Sequence, residues 1–185
     1  MSRVTLLTGG ARSGKSTRAL TLAQAYPAPR GFVATAQALD DEMRRRIDAH
    51  QRERGAGWVT VEEPRDLAGA LRGLAGQVSV AVVDCLTLWL SNLLHHPAPG
   101  EQAPADALDA TGQGHIDALL ALVEEPPLPL IFVTNESGMG IVPMNPLARQ
   151  FRDLAGHVNQ QVASRADRVT LLVCGQPLCV KGGDA

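Results

Sequence analysis

The sequence lacks the charge excess and the long apolar runs that mark several classes of protein. Lys and Arg number 17 against 19 Asp and Glu, so the formal net charge of −2 gives no basic field of the kind that nucleic-acid-binding proteins usually show. No apolar stretch approaches the ~20 residues needed to cross a bilayer. We therefore expect no nucleic-acid partner and no membrane span, and any bound phosphate must be held by local contacts.

Cysteine is also scarce. Cys85, Cys174 and Cys179 are an odd number at spacings that match no metal-binding knuckle, and a domain of this size does not need disulfides. We expect reduced, packed thiols. The first residues enter a strand-like run at once, without the basic segment and apolar core of a secretory signal. These features predict a cytoplasmic protein.

Apolar runs alternate with helical patterns along the whole chain. The 185 residues are enough for one well-buried core, so we expect a single domain over residues 1–185. The predicted strands are 4–8, 31–35, 58–62, 78–84, 130–134 and 169–174. The predicted helices are 16–25, 40–54, 65–74, 86–94, 116–123 and 147–164, and the Pro-rich segment 95–104 is a predicted surface loop. This alternation predicts an α/β fold with a mostly parallel central sheet and helices on both faces.

The strongest motif is a phosphate loop between the first strand and the first helix. The residues that match G-x-x-x-x-G-K-S/T are Gly9, Gly10, Ala11, Arg12, Ser13, Gly14, Lys15 and Ser16. Glycines let successive backbone N–H groups point at phosphate oxygens. Lys15 can neutralise the β and γ phosphates, and the Ser16 hydroxyl can bind Mg²⁺. The motif predicts a P-loop NTPase site.

A carboxylate closes a nearly continuous apolar strand later in the chain. Asp84 follows residues 80–83, where P-loop proteins place the acidic residue that holds magnesium, usually through water. A buried strand that ends in Asp is common, so this position is informative mainly beside the phosphate loop. We predict that Ser16 and Asp84 hold Mg²⁺, and that the second nucleotide contact lies on the strand next to the first.

One of the five histidines has unusual neighbours. On the predicted helix 40–54, Arg46 and Arg54 lie one turn either side of His50. Nearby cations disfavour imidazolium and leave a neutral, nucleophilic ring, and the arginines could clamp a triphosphate. The same pattern fits a solvated basic face with an inert surface histidine, and the residues alone favour that interpretation.

Short motifs continue from the phosphate loop almost to the end of the chain. They are Gly9–Ser16, Ala34–Ala36, Asp40–Met43, Trp58–Glu62, Thr134–Glu136, Gly138–Pro143, Leu147–Arg149 and Phe151–Asp153. Together they resemble the bifunctional adenosylcobinamide kinase and adenosylcobinamide-phosphate guanylyltransferase family, over a span from Val4 to about Lys181. The later motifs are far more specific than the phosphate loop.

The resemblance implies two reactions and a RecA-like P-loop fold. Adenosylcobinamide would be phosphorylated with ATP or GTP, and GMP from GTP would then be attached to give adenosylcobinamide-GDP and pyrophosphate. His50 falls at the family's guanylylated histidine, so the resemblance reverses the interpretation of His50, which with Lys15 becomes a catalytic candidate. A corrinoid substrate and a homotrimer with nucleotide sites near subunit borders are also implied.

The resemblance also places nucleotide contacts outside the phosphate loop. These positions are Ala34, Thr35, Ala36, Gln51, Arg52, Glu53, Arg54, Glu62 and Asp84. The strand ending near Ala34 would bring small side chains to the carboxyl edge of the sheet, where ligands bind. Glu62 could accept hydrogen bonds from a guanine edge, although an exposed strand-end Glu is equally expected. Arg52 and Arg54 could neutralise the leaving pyrophosphate.

Two departures from the family pattern lie in the loop that follows the fifth strand. Ser137 stands where an apolar residue is usual and Met144 where an acid is frequent, so we assign no polar role to these two positions. The loop remains a candidate corrinoid contact. Two other functions stay open: a P-loop kinase of a small metabolite with an inert His50, and a nucleotide-dependent switch protein.

Overall fold

The computed structural model describes residues 3–37, 55–94 and 106–183, which contain seven strands and five α-helices. The strands are β1 (Val4–Gly9), β2 (Arg30–Ala34), β3 (Trp58–Glu62), β4 (Ala81–Asp84), β5 (Leu130–Val133), β6 (Arg168–Val173) and β7 (Gln176–Lys181). The helices are α1 (Lys15–Ala23), α2 (Leu67–Leu74), α3 (Leu86–Leu93), α4 (Ala110–Glu124) and α5 (Pro146–Arg165), with a 3-10 turn at Ser137–Met139. Within these ranges, no helix combines the length and the apolar character needed to span a membrane.

The strands form one sheet in the order β3-β2-β4-β5-β1-β6-β7. All neighbours are parallel except the antiparallel pair β6 and β7, which confirms the predicted mostly parallel sheet. The expectation that the second nucleotide contact lies on the strand next to β1 is wrong, because β5 separates β1 from β4. Parallel strands are joined by long crossovers, so chain order does not fix sheet order.

Helices cover both faces of this sheet, as predicted. Alternate side chains of a strand point to opposite faces, and in β5 Leu130 and Phe132 join the larger cluster with α2 to α5, whereas Ile131 and Val133 join the smaller cluster with α1. Trp89 of α3 is the largest fully buried side chain, and its indole N–H donates to the Arg65 carbonyl at 2.7 Å. The bilayered core therefore fixes the register of β5.

Local capping explains where the helices begin. The Asp109 carboxylate accepts the Gly112 N–H at 2.7 Å, and the Asn145 side chain accepts the Ala148 N–H at 3.2 Å before Pro146 starts α5. The prediction that the fourth helix starts at residue 116 is therefore six residues late. The glycine-rich segment before Ile116 has low helix propensity, and the Asp109 cap offsets it.

The last strand, β7, was not predicted. Cys174 (φ 51°) and Gly175 (φ 79°) form a two-residue turn of left-handed residues, the geometry that suits the twist of a hairpin. Pro177 lies within β7 on the outer edge of the sheet, where proline is tolerated, and it obscured the strand signal. Cys174 is exposed in this turn, so the expectation of a packed thiol is wrong for it.

Candidate active site

The phosphate loop joins the carboxyl end of β1 to the amino end of α1. Gly9 has φ +145°, and a Cβ built on it would lie 2.5 Å from the Leu172 carbonyl oxygen, so the chain passes β6 too closely for a side chain. Gly14 caps α1 with φ 96°. Glycine is required at both positions, and the loop directs the N-terminal end of a helix, with its partial positive charge, toward the site.

Lys15 is folded back over the loop. Its residue is 7% exposed, and its ammonium donates to the Gly10 carbonyl at 2.6 Å and to the Ser13 hydroxyl at 3.4 Å. Burial lowers the pKa of Lys15, and the negative charges of Cys85 and Asp84 oppose that shift. A nucleoside triphosphate would offer this desolvated cation stronger, charge-assisted acceptors than a carbonyl and a hydroxyl.

Three predicted site residues lie in one row across the sheet. Ala34 of β2 is in register with Glu62 of β3 on one side and with Asp84 of β4 on the other. The row therefore lies at the carboxyl ends of three parallel strands, where open α/β sheets bind ligands. Glu62 is exposed and Asp84 is half-buried. The sheet thus brings two carboxylates to the edge that also carries the phosphate loop.

Thr35 has a structural contact that the sequence did not reveal. Its side chain is buried, and its hydroxyl donates to the Cys85 carbonyl at 2.8 Å and accepts the Cys85 N–H at 2.8 Å. The Asn92 amide donates to the Thr35 carbonyl at 2.8 Å. These bonds tie the end of β2 to the end of β4 and hold Asp84 in place, while Ala36 stays half-buried beyond them.

Oxygen ligands at the edge of the sheet suit magnesium. Ser16 is half-buried in the first turn of α1, and the charge of Asp84 reaches Lys15 in the same loop. Among the residues that the structure describes, no three His, Cys, Asp or Glu side chains cluster as a metal site. One hydroxyl and one carboxylate, completed by phosphate oxygens and water, are the donor set that Mg²⁺ takes in nucleotide sites.

Two further segments border the phosphate loop and escaped sequence reasoning. The Glu136 N–H donates to the Gly9 carbonyl at 3.2 Å, and the Glu136 carboxylate accepts the Thr8 hydroxyl. The Gly175 N–H of the β6–β7 turn donates to the Ser13 carbonyl at 3.0 Å. A polar triplet directly after a buried strand was the available signal for Glu136. The contact of Gly175 had none.

The segment after the 3-10 turn presents apolar side chains to solvent; we call residues 138–144 the apolar loop. Arg152 donates to the Gly138 carbonyl at 3.0 Å, and Arg149 donates to the carbonyls of Pro143 at 2.9 Å and Met144 at 2.7 Å. Its exposed side chains are Met139 (76%), Ile141 (97%), Val142 (60%) and Met144 (96%). An anchored loop with outward apolar groups is suited to an apolar partner.

The remaining predicted site residues cannot be placed. His50, Gln51, Arg52, Glu53 and Arg54 lie outside the described residues, as does the predicted helix 40–54. The structure brings together the phosphate loop, Ala34, Glu62 and Asp84. It leaves open how the histidine meets them.

Comparison with known proteins identifies relatives over nearly the whole chain. Residues 5–180 match the family described as "Cobinamide kinase / cobinamide phosphate guanyltransferase". The bifunctional adenosylcobalamin biosynthesis protein CobP of Pseudomonas aeruginosa is 45% identical over 177 residues, with 96% of each chain covered. CobU of Salmonella typhimurium, also described as a bifunctional adenosylcobalamin biosynthesis protein, is 41% identical over 180 residues, with 95% of this chain and 98% of that protein covered.

Solved structures confirm the type of fold. The ATPase EscN of the enteropathogenic Escherichia coli type III secretion system superimposes with a TM-score of 0.54 at 13% identity. The match covers 94% of this chain but 43% of that one, so this chain spans less than half the length of EscN. At such identity the likeness concerns the fold alone, and it agrees with the predicted P-loop NTPase architecture.

Proposed function

Because the chain belongs to the cobinamide kinase / cobinamide phosphate guanyltransferase family, we propose that it carries out both reactions at the edge of the sheet that bears the phosphate loop. The observation that carries this proposal is the buried Lys15 ammonium inside a complete phosphate loop, in register-aligned surroundings that supply Asp84 and Glu62. A nucleotide held there would have its phosphates at the N-terminal end of α1.

In the first reaction, the aminopropanol hydroxyl of adenosylcobinamide attacks the γ-phosphorus of ATP or GTP. A new O–P bond forms, the bond to the β-phosphate oxygen breaks, and the hydroxyl proton leaves to a base or to solvent. Lys15 and the loop N–H groups stabilise the charge that develops on the phosphate oxygens. Bound Mg²⁺, held by Ser16 and through water by Asp84, would further neutralise this charge.

In the second reaction, an imidazole nitrogen of His50 attacks the α-phosphorus of GTP. Pyrophosphate leaves, and GMP stays on the ring as a phosphoramidate. A phosphate oxygen of adenosylcobinamide phosphate then attacks the same phosphorus, the N–P bond breaks, and adenosylcobinamide-GDP is released. Two displacements replace one difficult displacement. Arg52 and Arg54 would take the pyrophosphate charge, Gln51 and Glu53 would lie beside the nucleotide, and Glu62 would accept hydrogen bonds from guanine.

The corrinoid would bind against the apolar loop. Its outward methionine and aliphatic side chains offer the apolar surface that a macrocycle face needs, and flexible Met side chains adapt to an irregular ligand. The loop follows β5, so it leaves the same edge of the sheet as the phosphate loop. We further propose a single domain, a homotrimer and a cytoplasmic location, in keeping with the resemblance.

The decisive experiment tests for a covalent intermediate. The protein is incubated with Mg²⁺ and GTP labelled at the α-phosphorus, and the denatured protein is assayed for an acid-labile, base-stable adduct. We expect labelling of the wild type, none of His50→Ala, and full labelling of the matched control His157→Ala, whose ring is exposed on α5. An unlabelled wild type would indicate a kinase or switch protein, and a labelled His50→Ala would place the nucleotide on another residue.

A further inference from the structure

A small cavity lies on the α1 face of the sheet, away from the carboxyl edge. Its volume is about 80 Å³, and it is lined by Arg18, Leu22, Arg168, Thr170, Pro177, Cys179 and Gly183. The walls are α1 on one side and the β6–β7 hairpin on the other, since Thr170 pairs with Cys179 across that hairpin. None of the described lining residues is acidic.

Two guanidinium groups reach this cavity without an acceptor. The Nε atoms of Arg18 and Arg168 are buried and have no hydrogen-bond partner among the described residues. Leaving a buried donor of a charged group unsatisfied costs about 1–3 kcal/mol or more. Two such cations lining one cavity with no described carboxylate also repel each other, so the pair is costly unless an anion is bound.

The other half-buried arginines of the described chain behave differently. Each donates to an oxygen, as Arg30 does to Tyr26, Arg65 to Asn92, Arg152 to Gly138 and Arg165 to Glu124. The fold therefore supplies acceptors for guanidinium groups elsewhere. The absence of an acceptor at Arg18 and Arg168 is confined to the cavity.

From these observations we propose that the cavity binds a phosphate-type oxyanion, which we call the rear anion site. Two arginine forks match the oxygens of a phosphate group, and the Thr170 hydroxyl can donate a further hydrogen bond. By the same volume measure a single water needs about 10–15 Å³, so the cavity has room for a group larger than one water molecule.

The rear anion site is distinct from the nucleotide site but touches the same elements. The Arg18 N–H donates to the Gly14 carbonyl at 2.9 Å in the first turn of α1, and the hairpin turn donates through Gly175 to Ser13. An anion between Arg18 and Arg168 would link α1 to the hairpin. The proposal does not depend on which reaction the enzyme performs.

The test titrates inorganic phosphate into protein whose phosphate loop is already saturated with a non-hydrolysable GTP analogue and Mg²⁺. Thermal unfolding is followed, because a ligand of the folded state raises the melting temperature with its concentration. We expect a saturable rise with phosphate and with sulfate. Sodium chloride and acetate at equal ionic strength should give a smaller effect, which separates the oxyanion from screening and from carboxylates.

Variants assign the effect to the cavity. Arg168→Gln should weaken phosphate binding at least about tenfold, as expected for loss of a bidentate fork, and Arg168→Lys should weaken it less. The matched control Arg72→Gln removes an exposed guanidinium from α2 on the opposite face and should bind as the wild type does. Unchanged affinity in Arg168→Gln, or no saturable rise in the wild type, overturns the proposal.

Two additional variants cover misfolding and the chain's own carboxylate. If Arg168→Gln does not bind the GTP analogue normally, Arg18→Gln is measured instead, with the same expected loss. Asp184→Asn removes a side chain that lies outside the described residues but follows Gly183 in sequence. We expect it to bind phosphate at least as tightly as the wild type, whereas phosphate binding seen only in this variant contradicts an external anion.

Discussion

Individual residues of the phosphate loop have separable roles in folding and in binding. Gly9 is required by the close approach of β6, whereas a Cβ on Gly10 would meet nothing within 4 Å. Lys15 contacts loop oxygens now and would contact phosphate in the complex. A motif that matches as one pattern therefore contains positions under different physical constraints.

Gly9→Ala should destabilise the protein, and Gly10→Ala should not. The first substitution forces a methyl group against the Leu172 carbonyl at a positive φ, so the free energy of unfolding should fall by about 1–3 kcal/mol. Gly10→Ala should change it by less than about 0.5 kcal/mol. Urea unfolding of both variants measures this difference, and equal losses would show that the approach of β6 is not the constraint.

Lys15→Met should weaken nucleotide binding without lowering the stability of the nucleotide-free protein. Loss of charge-assisted hydrogen bonds predicts about 10- to 100-fold lower affinity, while removal of a desolvated ammonium relieves a cost. Because burial lowers the pKa of Lys15 in the folded state, the unfolded state binds more protons between that pKa and 10.5. Wild-type stability relative to Lys15→Met should therefore rise with pH in that window, as calorimetry at several pH values can show.

Cys85 should be the least reactive of the three thiols. Burial first, and then the charge of Asp84, raise its pKa from 9.0 to about 11, which lowers the thiolate fraction roughly a hundredfold near pH 8. Exposed Cys174 should be alkylated by iodoacetamide long before Cys85 in the native protein. In urea both should react at similar rates. Comparable native rates by mass spectrometry would contradict the burial of Cys85.

At the level of whole elements, the hydrophobic patterns predicted the strands and helices of the described chain well, with two exceptions. Buried runs such as 130–133 are continuous because both faces of the sheet are covered, so they are easy to detect. The start of α4 depended on a cap six residues earlier, and β7 contains a proline and exposed apolar side chains. Both exceptions arise where a local contact overrides composition.

The β6–β7 hairpin provides a test at this scale. Gly175→Ala places a side chain at φ 79°, so it should lower the free energy of unfolding by about 1 kcal/mol. It should also perturb the phosphate loop through the bond from Gly175 to Ser13. The matched control Gly114→Ala fills open space in the middle of α4 and should stabilise by about 0.5–1 kcal/mol. Shifts of the same sign in the two variants would argue against a left-handed turn.

For the whole molecule, the sequence predicted which strand ends carry chemistry but not how they are arranged. The carboxyl ends of parallel strands share one edge, so residues after β1, β2 and β4 were expected to meet. The insertion of β5 between β1 and β4, and the contact from Glu136 to Thr8 across 128 positions, depend on long-range packing that no local pattern records. The roles of His50, Gln51, Arg52, Glu53 and Arg54 stay predictions.

One nucleotide site that serves both reactions predicts an asymmetry between two variants. Lys15→Met should lose both the phosphorylation of adenosylcobinamide and the formation of adenosylcobinamide-GDP, because each begins with a triphosphate on the same loop. His50→Ala should keep the first reaction and lose the second, since the histidine acts only as the guanylyl carrier. Each product is measured separately by chromatography with ATP or GTP as donor. Equal loss of phosphorylation in both variants would mean that His50 holds the triphosphate in place for the first reaction as well as attacking it in the second.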